Sequence, residues 1–158
     1  MTKTRPVRRS PTDEELPADA SLLRYIESSA LVAAILEHDA EALADLRELG
    51  RRVASALTFA EATRAILRAR VTRRITHAEE REGLRALRAL EHRCTIISVS
   101  EAVLERAGRP FPIEPIRTLD AIHLATIELM GETPQLVTVV TRDKRVASNA
   151  RALGYAIA

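Results

Sequence analysis

The run LVTVVT at residues 136–141, followed directly by RDKRVASNARALG at residues 142–154, decides the fold. Six consecutive apolar or β-branched residues make a strand that alternation cannot explain, the kind buried on both faces of a parallel sheet. The residues after it, DKRVASNARAL (143–153), read as a helix that Gly154 ends. YAIA (155–158) reads as a last strand. A strand that enters a helix and returns to a strand is a parallel crossover unit.

Outward from this unit the same alternation recurs. SLLRYI (21–26) leads into Glu27, and SSALVAAILEHD (28–39) follows with small and apolar residues at helical spacing. A second helix over Asp39 to Leu49 is expected to stop at Gly50, with RRVASA (51–56) as the next strand. Helices are expected over Thr58 to Arg70 and over His77 to Arg93, the second carrying Leu84, Leu87 and Leu90 on one stripe. TIISVS (95–100) reads as a strand, and GRPFPIEP (108–115), with three prolines, as an extended connection. Thr118 is expected to cap the helix LDAIHLATIELM (119–130), which ends at Gly131. The pattern predicts an α/β fold with a central, mostly parallel sheet and helices on both sides, functioning at the carboxyl ends of its strands.

A chain of 158 residues holds one ordinary domain. Pro6, Pro11 and Pro17, among charges that cancel, mark residues 1–20 as a flexible tail ahead of a domain over 21–158. With 46% hydrophobic and 29% charged residues the composition is globular, and a net charge of +2 leaves no bulk field for nucleic-acid binding, which must come from a local patch. The single cysteine, Cys94, excludes internal disulfides and cysteine-built metal clusters. Four aromatics, Tyr25, Phe59, Phe111 and Tyr155, are too few for a base-stacking platform. No apolar run approaches the ~20 residues of a membrane span and the start lacks a signal-peptide core, so a cytoplasmic location is expected.

Gly-rich phosphate loops, G-x-S-x-G elbows and H-E-x-x-H are absent from the sequence. The histidines, His38, His77, His92 and His123, lack metal-ligand spacing and read as surface or packing residues, and Cys94 as a small apolar one. Four carboxylates stand at element boundaries: Glu27 after the first strand, Glu61 and Asp120 in first turns of helices, and Asp143 just past LVTVVT. On one rim of a parallel sheet these acids repel one another unless a hard, oxygen-preferring cation neutralises them, which points to Mg²⁺, or to Mn²⁺, and to hydrolysis of a nucleic-acid backbone. Each acid also has a structural reading. Thr58 to Glu61 matches a capping box, Asp143 an N-cap, Asp120 a helix-dipole partner and Glu27 an exposed strand end. Arg117 and Arg142 flank two of the acids and suit a phosphate, while Ser29 and Thr141 suit the positioning of water. Arg64, Arg68, Arg70, Arg73 and Arg74 either track phosphates or form a solvated face, the second reading being preferred.

The segments YIESSALV, SALTFAEATRAI, RTLDAIHLATIELMG and VVTRDKRVASNARALG, in this order and spacing, resemble the PIN-domain ribonucleases, and among them the VapC toxins of toxin–antitoxin pairs. The resemblance implies a PIN-like three-layer α/β/α sandwich and an endoribonuclease dependent on Mg²⁺, acting on structured RNA. It makes Glu27, Glu61, Asp120 and Asp143 the catalytic acids, with Glu27, Asp120 and Asp143 at the metal. It further implies a homodimer held by helices of the N-terminal half, and a VapB-like antitoxin whose C-terminal segment covers the site. One departure is Glu27, where the family usually carries Asp; the added methylene moves the carboxylate against the strict octahedral demand of Mg²⁺. A PIN-fold module that binds RNA or antitoxin with a weakened metal site is therefore the alternative, and a DNA-directed nuclease a third. The tail is the other departure.

Overall fold

A computed structural model describes residues 22–158; the tail expected over 1–20 lies outside the described residues. Five strands form in chain order: β1 (Leu23–Ile26), β2 (Arg51–Ser55), β3 (Thr95–Ile97), β4 (Val137–Val140) and β5 (Ala156–Ile157). Their spatial order is β3-β2-β1-β4-β5 and every pairing is parallel, so the mostly parallel sheet expected from the pattern is wholly parallel. Among the described residues the helices are α1 (Ser28–Leu36), α2 (Ala40–Arg47), α3 (Ala56–Val71), α4 (His77–Glu91), α5 (Glu101–Ala107), α6 (Thr118–Leu129) and α7 (Lys144–Ala152).

The period of two along each strand assigns its side chains to two cores. Leu23, Tyr25, Val53, Val137 and Val139 pack with Val103, Leu124, Ile127 and Val146 of α5, α6 and α7. Ile26, Ala54 and Val140 point the other way, onto Leu31, Phe59, Ile66 and Leu87 of α1, α3 and α4. Burying one valine contributes roughly 1.5–3 kcal/mol, and Val137, Val139 and Val140 are all at most 1% exposed, which is why LVTVVT reads without alternation. Gly83 lets α4 sit close to α1, since a Cβ there would stand 3.2 Å from Ile35 Cγ2.

Several helix starts differ from expectation. Ser55, not Thr58, caps α3 by accepting from Leu57 N–H, and the Thr58 hydroxyl instead donates to Ile26 C=O at 3.1 Å, tying α3 to β1. The capping box expected at Thr58–Glu61 therefore does not form, and one forms at Thr76 and Glu79 on α4. Arg117 is the cap residue of α6 with no side-chain bond, and Thr118 is already helical. TIISVS splits: only Thr95–Ile97 pair, and Ser100 caps α5, a helix the sequence reading left out. Gly50 and Gly154 do carry positive φ, +133° and +93°.

Candidate active site

Strand β1 lies between β2 and β4, so the chain leaves the sheet in opposite directions on its two sides, and a crevice opens at the carboxyl ends of β1 and β4. The register pairs Ile26 with Val140, and Glu27 N–H donates to Val140 C=O at 3.0 Å. Glu27 and Thr141 therefore emerge side by side, 114 residues apart in sequence but in direct contact.

Glu27 is not an exposed strand end: it is 3% exposed and serves as the N-cap of α1. Its Oε2 accepts from Ser29 N–H at 3.0 Å, from the Ser29 hydroxyl, and from the Thr141 hydroxyl at 2.8 Å; Oε1 accepts from the Ser28 hydroxyl at 2.6 Å. The extra methylene allows the carboxylate to fold back onto its own helix start. Ser29 Oγ in turn accepts from Arg142 N–H at 2.7 Å and Asp143 N–H at 3.0 Å, so one serine binds the beginning of α1 to the turn before α7.

Glu61, which the earlier start of α3 at Ala56 moves from the expected first turn into the second, comes to the same place, and so does His123 of α6. Ligand atoms of Glu27, Glu61 and His123 all lie within 4.8 Å of one another. His123 is 1% exposed; its Nε2 stands 2.6 Å from Glu61 Oε2 and 3.7 Å from Glu27 Oε1, and its Nδ1 is 2.9 Å from the Tyr25 hydroxyl. Burial, and then the Glu27 charge, push the Tyr25 phenol far above its ordinary value, so it stays protonated.

Asp120 and Asp143 flank this cluster. Burial raises the Asp120 carboxyl above its usual range, followed by the charges of Asp143 and Glu27, with Arg117 and His123 pulling the other way. Asp120 Oδ2 is buried without a hydrogen-bond partner. Asp143 is also the N-cap of α7, Oδ1 accepting from Arg145 N–H at 2.7 Å and Val146 N–H at 3.2 Å. Its structural reading is thus realised without removing it from the rim. The side chains whose ligand atoms converge are Glu27, Glu61 and His123, whereas Asp120 and Asp143 fall outside that group and reach it through charge; the orphaned Asp120 Oδ2 is an oxygen donor of the kind a hard divalent cation takes.

The remaining candidates divide. Arg117 is exposed beside Asp120, whereas the Arg142 guanidinium is committed to Asp45 of α2 at 2.6 Å. Ser29 and Thr141 are hydrogen-bonded into the rim. Arg64 and Arg68 line a groove of about 440 Å³ with Glu61, Ser28, Leu57 and Leu119, so the part of the basic run nearest the acids faces the site rather than only solvent. Burial pushes the Cys94 thiol up to about 11, consistent with an inert packing residue. His123, which reads in the sequence as a surface or packing residue, is a member of the cluster. The available signal was its spacing of three from Asp120, which puts both on one helix face.

The PIN domain profile matches residues 24–152. The chain belongs to the PIN domain family. It is 36% identical over 137 residues to "Ribonuclease VapC35" of Mycobacterium tuberculosis, covering 84% of this chain and 93% of that one. It is 39% identical over 135 residues to "Ribonuclease VapC46" of the same organism, covering 84% and 94%. Among solved structures, the fold is shared with VapC20 of M. tuberculosis, described as a sarcin-ricin loop cleaving toxin (TM-score 0.59, 15% identity, 79% of this PIN domain chain and 93% of that chain). It is shared also with VapBC2 of Rickettsia felis bound to a promoter DNA fragment (TM-score 0.56, 13% identity, 87% and 98%). Among the described residues of this PIN domain protein, no helix is long and apolar enough to cross a membrane.

Proposed function

We propose that this PIN domain protein is the endoribonuclease toxin of a VapBC-type toxin–antitoxin pair, hydrolysing RNA phosphodiester bonds with a divalent cation, Mg²⁺ or Mn²⁺. The observation that carries the reading is Asp120 Oδ2, buried without a protein partner on a carboxyl that feels the charges of Asp143 and Glu27, beside the cluster of Glu27, Glu61 and His123. Asp120, Asp143 and the Oε1 edge of Glu27 would hold the ion, and Glu61 completes the negative cluster. Such an ion supplies Lewis acidity for in-line displacement at phosphorus. The protein's own groups do the rest. Ser29 and Thr141 fix Glu27 and the turn carrying Asp143; Arg117, exposed next to Asp120, meets a phosphate oxygen of the RNA; Arg142 holds α2 against the rim through Asp45.

A VapB-like partner with a basic segment suits the same acidic mouth by charge, and a homodimer is the assembly the family resemblance implies. The test is purified protein incubated with total RNA and, in parallel, with DNA, in Mg²⁺, Mn²⁺ or chelator, with mapping of new ends. Discrete RNA cleavage that chelator abolishes is expected; metal-independent cleavage, or cleavage of DNA alone, removes the reading. Light scattering of the same sample, alone and with the partner, reports the assembly.

One observation favours a second reading, a PIN-fold binding module with a weakened metal site: Oε2 of Glu27 already accepts three hydrogen bonds and so has no lone pair left for an ion. Comparison of the natural protein with Glu27→Asp separates the two.

A further inference from the structure

We propose that His123 is a positioning residue of the site: its Nε2–H donates to Glu61 and holds that carboxylate in the geometry in which the acids meet a divalent ion. This rests on the metal reading above. The contacts assign the ring its role. A carboxylate only accepts, so the 2.6 Å contact from His123 Nε2 to Glu61 Oε2 places the proton on Nε2. That nitrogen then has no lone pair to give a metal, although its distances alone would admit it as a ligand. Nδ1 faces the Tyr25 hydroxyl at 2.9 Å, and a phenol O–H that donates there leaves Nδ1 bare and the ring neutral. A contact of this kind on the far side of the ring is how second-layer partners commonly set the tautomer in metal sites.

Glu61 needs such a partner. Its long side chain starts on α3, remains 24% exposed, and among the hydrogen bonds of the described residues has only His123 to hold it, on Oε2, leaving Oε1 free. Glu27 and Asp143, by contrast, are held by backbone N–H groups. The relay Tyr25, His123, Glu61 runs from the first strand through α6 to α3, so it also couples the sheet centre to the mouth.

Two measurements on the full chain test this. The imidazole ¹⁵N spectrum of the natural protein in chelator should show His123 protonated on Nε2 and bare on Nδ1. Calorimetric titration with Mg²⁺ should then show affinity about 10–100-fold weaker in His123→Leu, within about threefold of the natural protein in His123→Gln, whose amide N–H lies near the position of Nε2, and intermediate in Tyr25→Phe. Melting in chelator identifies variants that fail to fold; if His123→Leu is one, the Gln and Phe variants and the tautomer carry the decision. A bare Nε2, or a folded His123→Leu protein that binds Mg²⁺ as the natural one does, overturns the inference. If the natural protein itself binds neither Mg²⁺ nor Mn²⁺, it is the metal reading that fails, and the proposed role falls with it.

Discussion

Replacing Asp120 by Asn should make the protein more stable and nearly inactive, two effects of opposite sign from one charge. Asp120 is half-buried, its Oδ2 has no partner, and Asp143 and Glu27 repel its charge, only partly offset by Arg117. Because solvent screens a half-exposed group, the net repulsion is worth about 1 kcal/mol. For a chain of this size that corresponds to roughly 2–4 °C in melting temperature. The pH dependence follows from the direction of the shift. With the folded-state carboxyl raised, the unfolded chain loses its proton first as pH climbs through the usual aspartate range, so the stabilisation present below that range is lost until the folded carboxyl also ionises. Asn removes that loss. Thermal melts in chelator between acid and neutral pH should therefore diverge, the variant melting higher only at the neutral end, and added Mg²⁺ should raise the natural protein more than the variant. RNA cleavage should fall by at least about 100-fold, the usual cost of removing one group aimed at transition-state charge. A variant that is less stable in chelator at neutral pH, or that cleaves RNA at the natural rate, would refute the placement of Asp120 in a repulsive, cation-seeking cluster.

Glu27→Asp shortens the carboxylate that now accepts from Ser28, Ser29 and Thr141. If the toxin reading holds, Mg²⁺ affinity and cleavage change less than about tenfold, whereas a gain of more than about 100-fold marks the natural site as a weakened one. Ser29→Ala removes the acceptor shared by Arg142 N–H and Asp143 N–H; Asp143 N–H keeps Thr141 Oγ1 while Arg142 N–H is orphaned, so urea unfolding should show a loss of about 1–3 kcal/mol. Arg64→Ala with Arg68→Ala should leave Mg²⁺ binding unchanged and weaken RNA binding, flattening its salt dependence by about 0.7 in log–log slope per lost contact; an unaltered slope means the groove does not carry the RNA.

The sequence by itself determined the parallel α/β order and the placing of Glu27 and Asp143 just past the ends of β1 and β4. Both are local consequences of chain chemistry: a β-branched run too apolar to face water, helix stops at glycine, and acids placed at the ends of strands. It also sufficed for the family, because YIESSALV, RTLDAIHLATIELMG and TRDKRVASNARALG keep their order and spacing. Helix starts were less legible. Thr58 satisfies every local rule for a cap, yet the carbonyl of Ile26 offered it a buried partner 32 residues away, and Ser55 took the cap instead.

Only the tertiary structure decided what each site residue does. Glu27 read as either ligand or exposed end, and proved a buried cap because Thr141, just past β4 and 114 residues on, completes its hydrogen bonds. Arg142 looked aimed at substrate until Asp45 of α2 came within 2.6 Å. His123 carried no metal spacing, and its meaning arose when α6 laid it between Tyr25 and Glu61, which are 36 residues apart in the chain and both touch its ring. Periodicity and capping are encoded within a few residues of one another, whereas the partner of a buried polar group is chosen by whichever distant element the sheet brings alongside it.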